Sequence, residues 1–136
     1  MGVEGLLYDL PMVLAAVDDL LFSSKIRTTA KQAGVEVVFA RSPQEVLDQA
    51  KAQKPSLVVF DLNSGKTDPV ATIAALKADP ALSASRVLAF ASHVHTELIA
   101  SARNAGADQV LPRSAFAANL AEILLSSQST APDHTR

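Results

Sequence analysis

Three aspartates stand directly after apolar stretches of the chain. Asp18 and Asp19 follow the apolar residues 12–17, and Asp61 follows the apolar residues 57–60. Carboxylates that converge repel one another unless a hard cation such as Mg²⁺ takes oxygen ligands from them. A carboxylate beside a bound cation can also act as a nucleophile toward a phosphoryl group. The alternative interpretation is that each acid caps a loop or a helix. The strands and helices that carry the acids determine whether the acids converge on one site or cap separately.

The apolar segments and the helical patterns alternate along the chain. Segments with the length and composition of buried strands are residues 12–17, 35–39, 57–60, 87–91 and, less clearly, 109–111. Helical patterns cover residues 21–33, 42–53, 68–78, Thr96–Ala105 and a segment that begins at Ser114. Gly34 and Gly106 follow two of these helices as usual C-cap residues, and the run Ser42-Pro43-Gln44-Glu45 is a typical helix start.

This alternation predicts an α/β domain with a parallel sheet, right-handed crossovers and helices on both faces. We expect a (βα)₅ doubly wound, five-stranded sheet of the flavodoxin-like order 2-1-3-4-5. Ligands of such sheets bind beyond the carboxyl ends of the strands, at the switch point between strands 1 and 3, and Asp18, Asp19 and Asp61 belong to that edge. Residues 11–126 are expected to form this one domain, with a loose extension at 1–10 and a disordered tail at 127–136.

Composition and charge narrow the classes of function. The chain has 136 residues, 49% of them hydrophobic and 19% charged, with a formal net charge of −2. It can therefore bury a core, and it has no basic run that would favour nucleic acid or an anionic membrane. The absence of cysteine excludes disulfides and thiol chemistry, and no apolar run is long enough to span a bilayer. We expect a cytoplasmic protein that binds neither nucleic acid nor membrane.

Three short motifs together resemble the receiver domain of bacterial two-component response regulators. Residues 13–19 (VLAAVDD) are similar to its first strand and acidic pair, residues 57–63 (LVVFDLN) to its phosphoacceptor strand, and residues 105–108 (AGAD) to the turn before its fifth strand. The resemblance covers about residues 12–125. It implies that Asp61 accepts phosphate from a histidine kinase, with Mg²⁺ bound between Asp61 and the acidic pair. It also implies that Asn63 offers its backbone carbonyl to the metal.

The register of the acidic pair has two solutions. Counted back from Gly34, the family's direct metal ligand falls on Asp18 and its acidic partner falls on Val17. A shift of one residue restores the pair as Asp18 and Asp19. The resemblance therefore predicts Asp18 as the metal ligand, with Asp19 second.

The sequence departs from the family pattern at the positions that sense phosphate. The Thr or Ser that ends strand 4 in receivers falls on Ala91, and the following Ser92 can supply a hydroxyl only after a local shift. The Lys after strand 5 falls on Arg113, which keeps the charge with a different geometry. The aromatic switch residue of strand 5 falls on Val110. Arg113 and Ser92 are therefore the predicted phosphate-binding residues.

These departures leave two functions open, neither of them enzymatic. The first is a stand-alone receiver that is phosphorylated on Asp61 with Mg²⁺ by a sensor histidine kinase or a phosphotransfer protein, and that signals to a downstream protein by contact. The second is a phosphate-independent pseudo-receiver that acts as an interaction module. An enzyme or cofactor domain is disfavoured because no GxGxxG motif follows strand 1.

Two further features carry expectations of their own. The segment Thr96–Ala105 has mostly small side chains, and together with strand 5 it is expected to contact a partner or a second copy in a homodimer. His93 and His95 follow strand 4, where we interpret them as exposed or capping residues. The functional alternative is that His93 makes a polar contact in the phosphate pocket.

Overall fold

A single parallel sheet organises the computed structural model, which describes residues 11–92 and 95–128. Its strand order is β2-β1-β3-β4-β5. The strands are β1 (Val13–Ala16), β2 (Val37–Phe39), β3 (Leu57–Asp61), β4 (Arg86–Ala91) and β5 (Gln109–Pro112). The predicted α/β class and the flavodoxin-like order 2-1-3-4-5 are confirmed. The observed strands differ from the predicted segments by up to two residues at either end.

The helices follow the strands in the predicted alternation. They are α1 (Leu20–Ala33), α2 (Pro43–Gln53), α3 (Pro69–Ala78), α4 (Thr96–Ala105), α5 (Arg113–Ala118) and α6 (Leu120–Ser126), with a 3₁₀ turn at Gly65–Thr67. The start of α2 is capped as predicted, because the Ser42 hydroxyl accepts a hydrogen bond from the Glu45 N–H at 3.1 Å. The Glu45 carboxylate in turn accepts from the Arg41 N–H at 2.7 Å, one residue before the position that a standard capping box uses.

One predicted helix is two helices in the structure. The segment expected to begin at Ser114 begins at Arg113 and is interrupted at Asn119, where φ is −112° and ψ is 21°. The Asn119 side-chain amide donates to the carbonyl of Ala115 at 2.9 Å. The Asn119 N–H also donates to the Ala115 carbonyl, at 3.1 Å, so the interruption lies in the dihedral angles of Asn119.

Side chains bury both faces of the sheet. On one face the core joins the sheet to α2, α3 and α4 through residues such as Val46, Ile73 and Ala102. On the other face it joins the sheet to α1, α5 and α6 through residues that include Ile26 and Phe116. Because helices cover both faces, β1 and β3 consist entirely of buried residues, as the apolar runs predicted.

The packed chain continues beyond the predicted domain end at residue 126. Ser127 is buried, and its carbonyl accepts a hydrogen bond from the Ser56 hydroxyl at 2.9 Å. Gln128 donates to the carbonyl of Pro11 at 3.4 Å. The predicted extension at 1–10 and residues 129–136 of the predicted tail lie outside the described residues. No helix in the described part of the chain has the length and apolar composition of a membrane span.

Candidate functional site

Asp61 is the last residue of β3 and lies at the carboxyl edge of the sheet. It is buried, with 3% of its surface exposed. Parallel pairing places Phe60 beside Ala16 of β1 and Asp61 beside Phe90 of β4. The carboxylate therefore stands at the point where the strand order reverses, which is the usual ligand position in this type of sheet.

The carboxylate of Asp61 has two partners on one oxygen. Oδ1 accepts a hydrogen bond from the backbone N–H of Asn63 at 2.9 Å. It also lies 3.7 Å from a terminal guanidinium nitrogen of Arg113, which is an ion pair beyond ordinary hydrogen-bonding distance. Both contacts are on Oδ1, and no hydrogen bond from a described residue reaches Oδ2.

Burial and the neighbouring groups shift the pKa of this carboxyl, and they do not all act in the same direction. Burial is the main effect and raises the pKa of Asp61 above its usual 3.8. The Asn63 hydrogen bond and the Arg113 charge lower the pKa, whereas the charges of Asp18 and Asp19 raise it again. Because desolvation penalises the charged form, the site holds a carboxylate that a further cation would stabilise.

The acidic pair lies where β1 passes into α1. Asp18 is half-buried and Asp19 is exposed. The Asp19 side chain caps α1 by accepting a hydrogen bond from the Phe22 N–H at 3.0 Å. Asp19 thus has the capping role that was the alternative to metal binding. Asp18 has no such role among the hydrogen bonds of the described chain.

The oxygen atoms at this edge could supply some of the ligands that a hard dication needs. The charges of Asp18 and Asp19 act on Asp61, so the acids share one edge as predicted. No three His, Cys, Asp or Glu side chains of residues 11–92 and 95–128 are grouped closely enough to hold a metal together. Two carboxylates, Asp18 and Asp61, with the backbone carbonyl of Asn63 would supply oxygen ligands of the kind that Mg²⁺ takes, usually alongside water.

Ser92 contributes its backbone N–H to the site. Its N–H donates to the side-chain oxygen of Asn63 at 3.2 Å, which connects the loop after β3 to the end of β4. The sequence pointed to the Ser92 hydroxyl and the Asn63 carbonyl, not to this bond. Ala91, at the position of the family hydroxyl, is fully buried, and Val110 is 8% exposed.

Three aromatic rings beneath Arg113 were not predicted as part of the site. Phe90 and Phe116 stack with ring centroids 4.3 Å apart, and Phe22 lies 5.1 Å from Phe90. The Arg113 guanidinium carbon lies 5.8 Å from the Phe22 ring centroid and 6.0 Å from that of Phe90. In the sequence, Phe22 and Phe116 stand among the apolar residues of two helical segments, and no local pattern marks them as part of a site. His95 precedes α4 without a side-chain capping bond, and His93 lies outside the described residues.

The sheet order and the acidic pocket at its switch point define a flavodoxin-like α/β domain. The family model of the response regulator receiver domain matches residues 13–125. The chain therefore belongs to the response regulator receiver domain family, a class of signalling modules in two-component systems. None of the curated proteins matches the chain significantly.

Solved response regulators share the fold at low sequence identity. A response regulator from Hahella chejuensis aligns with a TM-score of 0.78 and 16% identity, over 93% of this chain and 99% of the other. The chemotaxis response regulator CheY4 of Vibrio cholerae gives 0.74 and 19%, over 87% and 98%. The phosphorylated cyanobacterial phytochrome response regulator RcpA gives 0.71 and 22%, over 86% and 90%.

Proposed function

We propose that this receiver domain is phosphorylated on Asp61 with the help of Mg²⁺ and transmits the modified state by protein contact. The observation that carries the proposal is the position of the Asp61 carboxylate. It is buried at the switch point, with Asn63 and Arg113 on one oxygen and acidic charge nearby. Receiver domains exchange phosphate with histidine kinases or phosphotransfer proteins, and we expect a donor of that class here.

The chemical step needs a nucleophile and a means of holding the added charge. A carboxylate oxygen of Asp61 would attack phosphorus, forming an acyl-phosphate P–O bond while the bond to the donor's histidine nitrogen breaks and that nitrogen regains a proton. Phosphorylation adds about −1.5 to −2 charges near neutral pH. Arg113, within 3.7 Å of Asp61, can bind phosphoryl oxygens with its guanidinium fork.

A metal would complete the charge balance of the pocket. Asp18, Asp61 and the backbone carbonyl of Asn63 are the residues that would hold Mg²⁺, with Asp19 as a second-rank candidate because its carboxylate caps α1. Bound Mg²⁺ would offset the negative charge of the carboxylates and of the phosphoryl oxygens. Asn63 would then serve the pocket twice, through its backbone and through its side-chain bond to Ser92.

A second candidate function rests on Ala91 and Val110. Ala91 has no hydroxyl to bind phosphate and Val110 has no ring to reorient, although both occupy the buried positions that perform these tasks in the family. A domain that lacks both groups can act as a phosphate-independent interaction module. The two functions differ in whether Asp61 is modified.

Intact mass measurement separates these functions. The protein is incubated with Mg²⁺ and acetyl phosphate, whose transfer to Asp61 would release acetate. We expect a mass gain of about 80 Da, one phosphoryl group, that requires Mg²⁺ and is absent from Asp61→Asn. An unmodified wild-type chain under conditions that phosphorylate a known receiver would favour the interaction module.

A further inference from the structure

A cleft of about 420 Å³ lies beside the Asp61 pocket and shares Arg113 and Ser92 with it. We call it the Arg113 cleft. It runs between the first turn of α1 and the junction of β5 with α5. Its lining residues are Phe22, Ser92, Pro112, Arg113, Ser114 and Ala117. Its volume falls within the range of small-molecule sites, about 300–1,000 Å³.

Among the described residues, the lining combines a mainly apolar wall with one cation, Arg113. Phe22, Pro112 and Ala117 supply the apolar surface, and the Phe22 ring is fixed by contacts with Phe90. Binding sites for small molecules commonly have this character, with a few polar groups that orient the ligand. The hydroxyl of Ser92 makes no hydrogen bond with any residue that the structure describes, so it can bind a ligand.

The Arg113 guanidinium has an N–H donor without a hydrogen-bond partner among the described residues. Its contact with Asp61 is 3.7 Å long, which is too long for a good hydrogen bond. Its Nε is buried and has no hydrogen-bond partner within residues 11–92 and 95–128. A buried donor without a partner is costly, so an acceptor that lets the guanidinium turn into the cleft would be favoured.

We propose that the Arg113 cleft binds a small carboxylic acid with a flat apolar body. The carboxylate would pair with the guanidinium of Arg113, since their planar geometries match in a bidentate contact. The apolar body would lie against Phe22, Pro112 and Ala117. A free phosphate ion would use the cation alone and leave the apolar wall in contact with water, so it fits the cleft less well. Arg113 also serves the proposed phosphoryl site, but ligand binding to the unmodified protein does not require Asp61 to be phosphorylated.

The test uses 2-naphthoate as the probe and the 136-residue chain labelled for amide NMR. We expect saturable shifts of the amides of Phe22, Ser92 and Ser114, with a Kd of about 1 mM or tighter, as is ordinary for a probe of this size. The neutral isostere 2-naphthamide should bind about tenfold more weakly, because it lacks the charge that Arg113 recognises. This comparison is made on the wild-type protein and does not depend on any variant folding.

Two substitutions on the same helix locate the probe. Ala117→Phe places a ring in the cleft and should abolish the shifts, whereas Ala118→Phe adds the same ring at an exposed position outside the lining and should leave them unchanged. Arg113→Gln should weaken naphthoate to the level of naphthamide. Equal binding of the two probes, shifts that survive Ala117→Phe in a folded variant, or no saturation up to about 10 mM would each overturn the proposal.

Discussion

Asp61 is both buried and acidic, a combination that proteins ordinarily tolerate only when the charge has partners. In this domain the available partners, the Asn63 N–H and Arg113, leave the pKa of Asp61 raised because burial dominates. The side chain is thus poorly stabilised in the charged state unless another positive group approaches. A raised pKa of this kind is expected of a carboxyl group that binds a metal ion or is covalently modified.

The raised pKa gives a prediction for metal-free protein. The folded chain holds the Asp61 proton more tightly than the unfolded chain, so the carboxyl favours folding less as the pH rises from its ordinary value of 3.8 through the folded pKa. Asp61→Asn removes this loss. We expect the free energy of unfolding of Asp61→Asn, minus that of the wild type, to increase across this pH interval and to stay constant above it.

Urea unfolding in EDTA over a pH series measures that difference. Adding Mg²⁺ at neutral pH provides the matched control, because a metal that binds only the folded state stabilises it by mass action. Mg²⁺ should raise the free energy of unfolding of the wild type and leave Asp61→Asn unchanged. A wild-type-to-variant difference that does not depend on pH or on Mg²⁺ would contradict this account of Asp61.

At this scale the sequence predicted the residue types better than their contacts. Asp61, Asn63 and Arg113 lie together as the resemblance implied. The bond from the Ser92 N–H to the Asn63 side chain could not be anticipated, because the sequence does not show which backbone N–H would donate to that side chain. For Asp19 the sequence left capping and metal binding open, and the structure shows that it caps α1.

At the scale of elements, the AGAD turn shows why a motif of this composition is needed between α4 and β5. Gly106 has φ of 118°, and a Cβ there would lie 2.7 Å from Cγ of Lys77. Asp108 accepts hydrogen bonds from Lys77 Nζ at 2.9 Å and from the Val87 N–H at 2.8 Å. One carboxylate oxygen therefore links α3, β4 and the start of β5.

Loss of this link should cost stability. Asp108→Ala leaves the partly buried Val87 N–H without its acceptor, for which we expect a loss of about 1–2 kcal/mol. The Lys77 ion pair adds little, since it is half-exposed and screened. Asp48→Ala in α2 is the matched control, because Asp48 is exposed and, within the described residues, its side chain accepts a single bond, from Gln44. Chemical denaturation of both variants checks the difference, and equal losses would contradict the assignment.

The elements were predictable where local patterns decide them and less so where packing does. Apolar runs and capping residues fixed the strands and the first four helices to within two residues. The break between α5 and α6 at Asn119 was missed because no Gly or Pro marks it in the sequence. The stack of Phe90 on Phe116 joins β4 to α5, and a contact between such distant segments leaves no local pattern.

The end of β4 bears on how a modified Asp61 would be read out. A ligand shifts an equilibrium only through differential contacts with the two states, and Ala91 and Val110 cannot make the usual ones. We expect beryllofluoride with Mg²⁺ to shift amides near Asp61 and Ser92 while Val110 and α4 respond little. Ala91→Ser restores a hydroxyl and should extend the shifts toward β5. Large wild-type shifts at Val110 would show that the altered switch still operates.

At the scale of the whole molecule, the parallel sheet brings the two halves of the site together. β1 supplies the acidic edge, β3 supplies Asp61, and β5 leads directly into Arg113. These segments are far apart in the chain, but in the sheet β1 lies beside β3 and only β4 separates β3 from β5. The fold was predictable because every strand is buried on both faces or bounded by clear helix signals. The shape of the Arg113 cleft was not, because it depends on how α1 and α5 pack.

The central claim is that Asp61, Arg113 and a metal ion form one phosphoryl-binding pocket. It is tested most directly by ¹⁹F NMR of beryllofluoride, which adds to an aspartate carboxylate as a phosphoryl mimic without requiring a kinase or a stable acyl phosphate. We expect a bound fluoride signal that needs Mg²⁺, is absent from Asp61→Asn and is weakened in Arg113→Gln. Wild-type protein that gives no bound signal at saturating beryllofluoride and Mg²⁺, or Asp61→Asn that retains the signal, would contradict the claim.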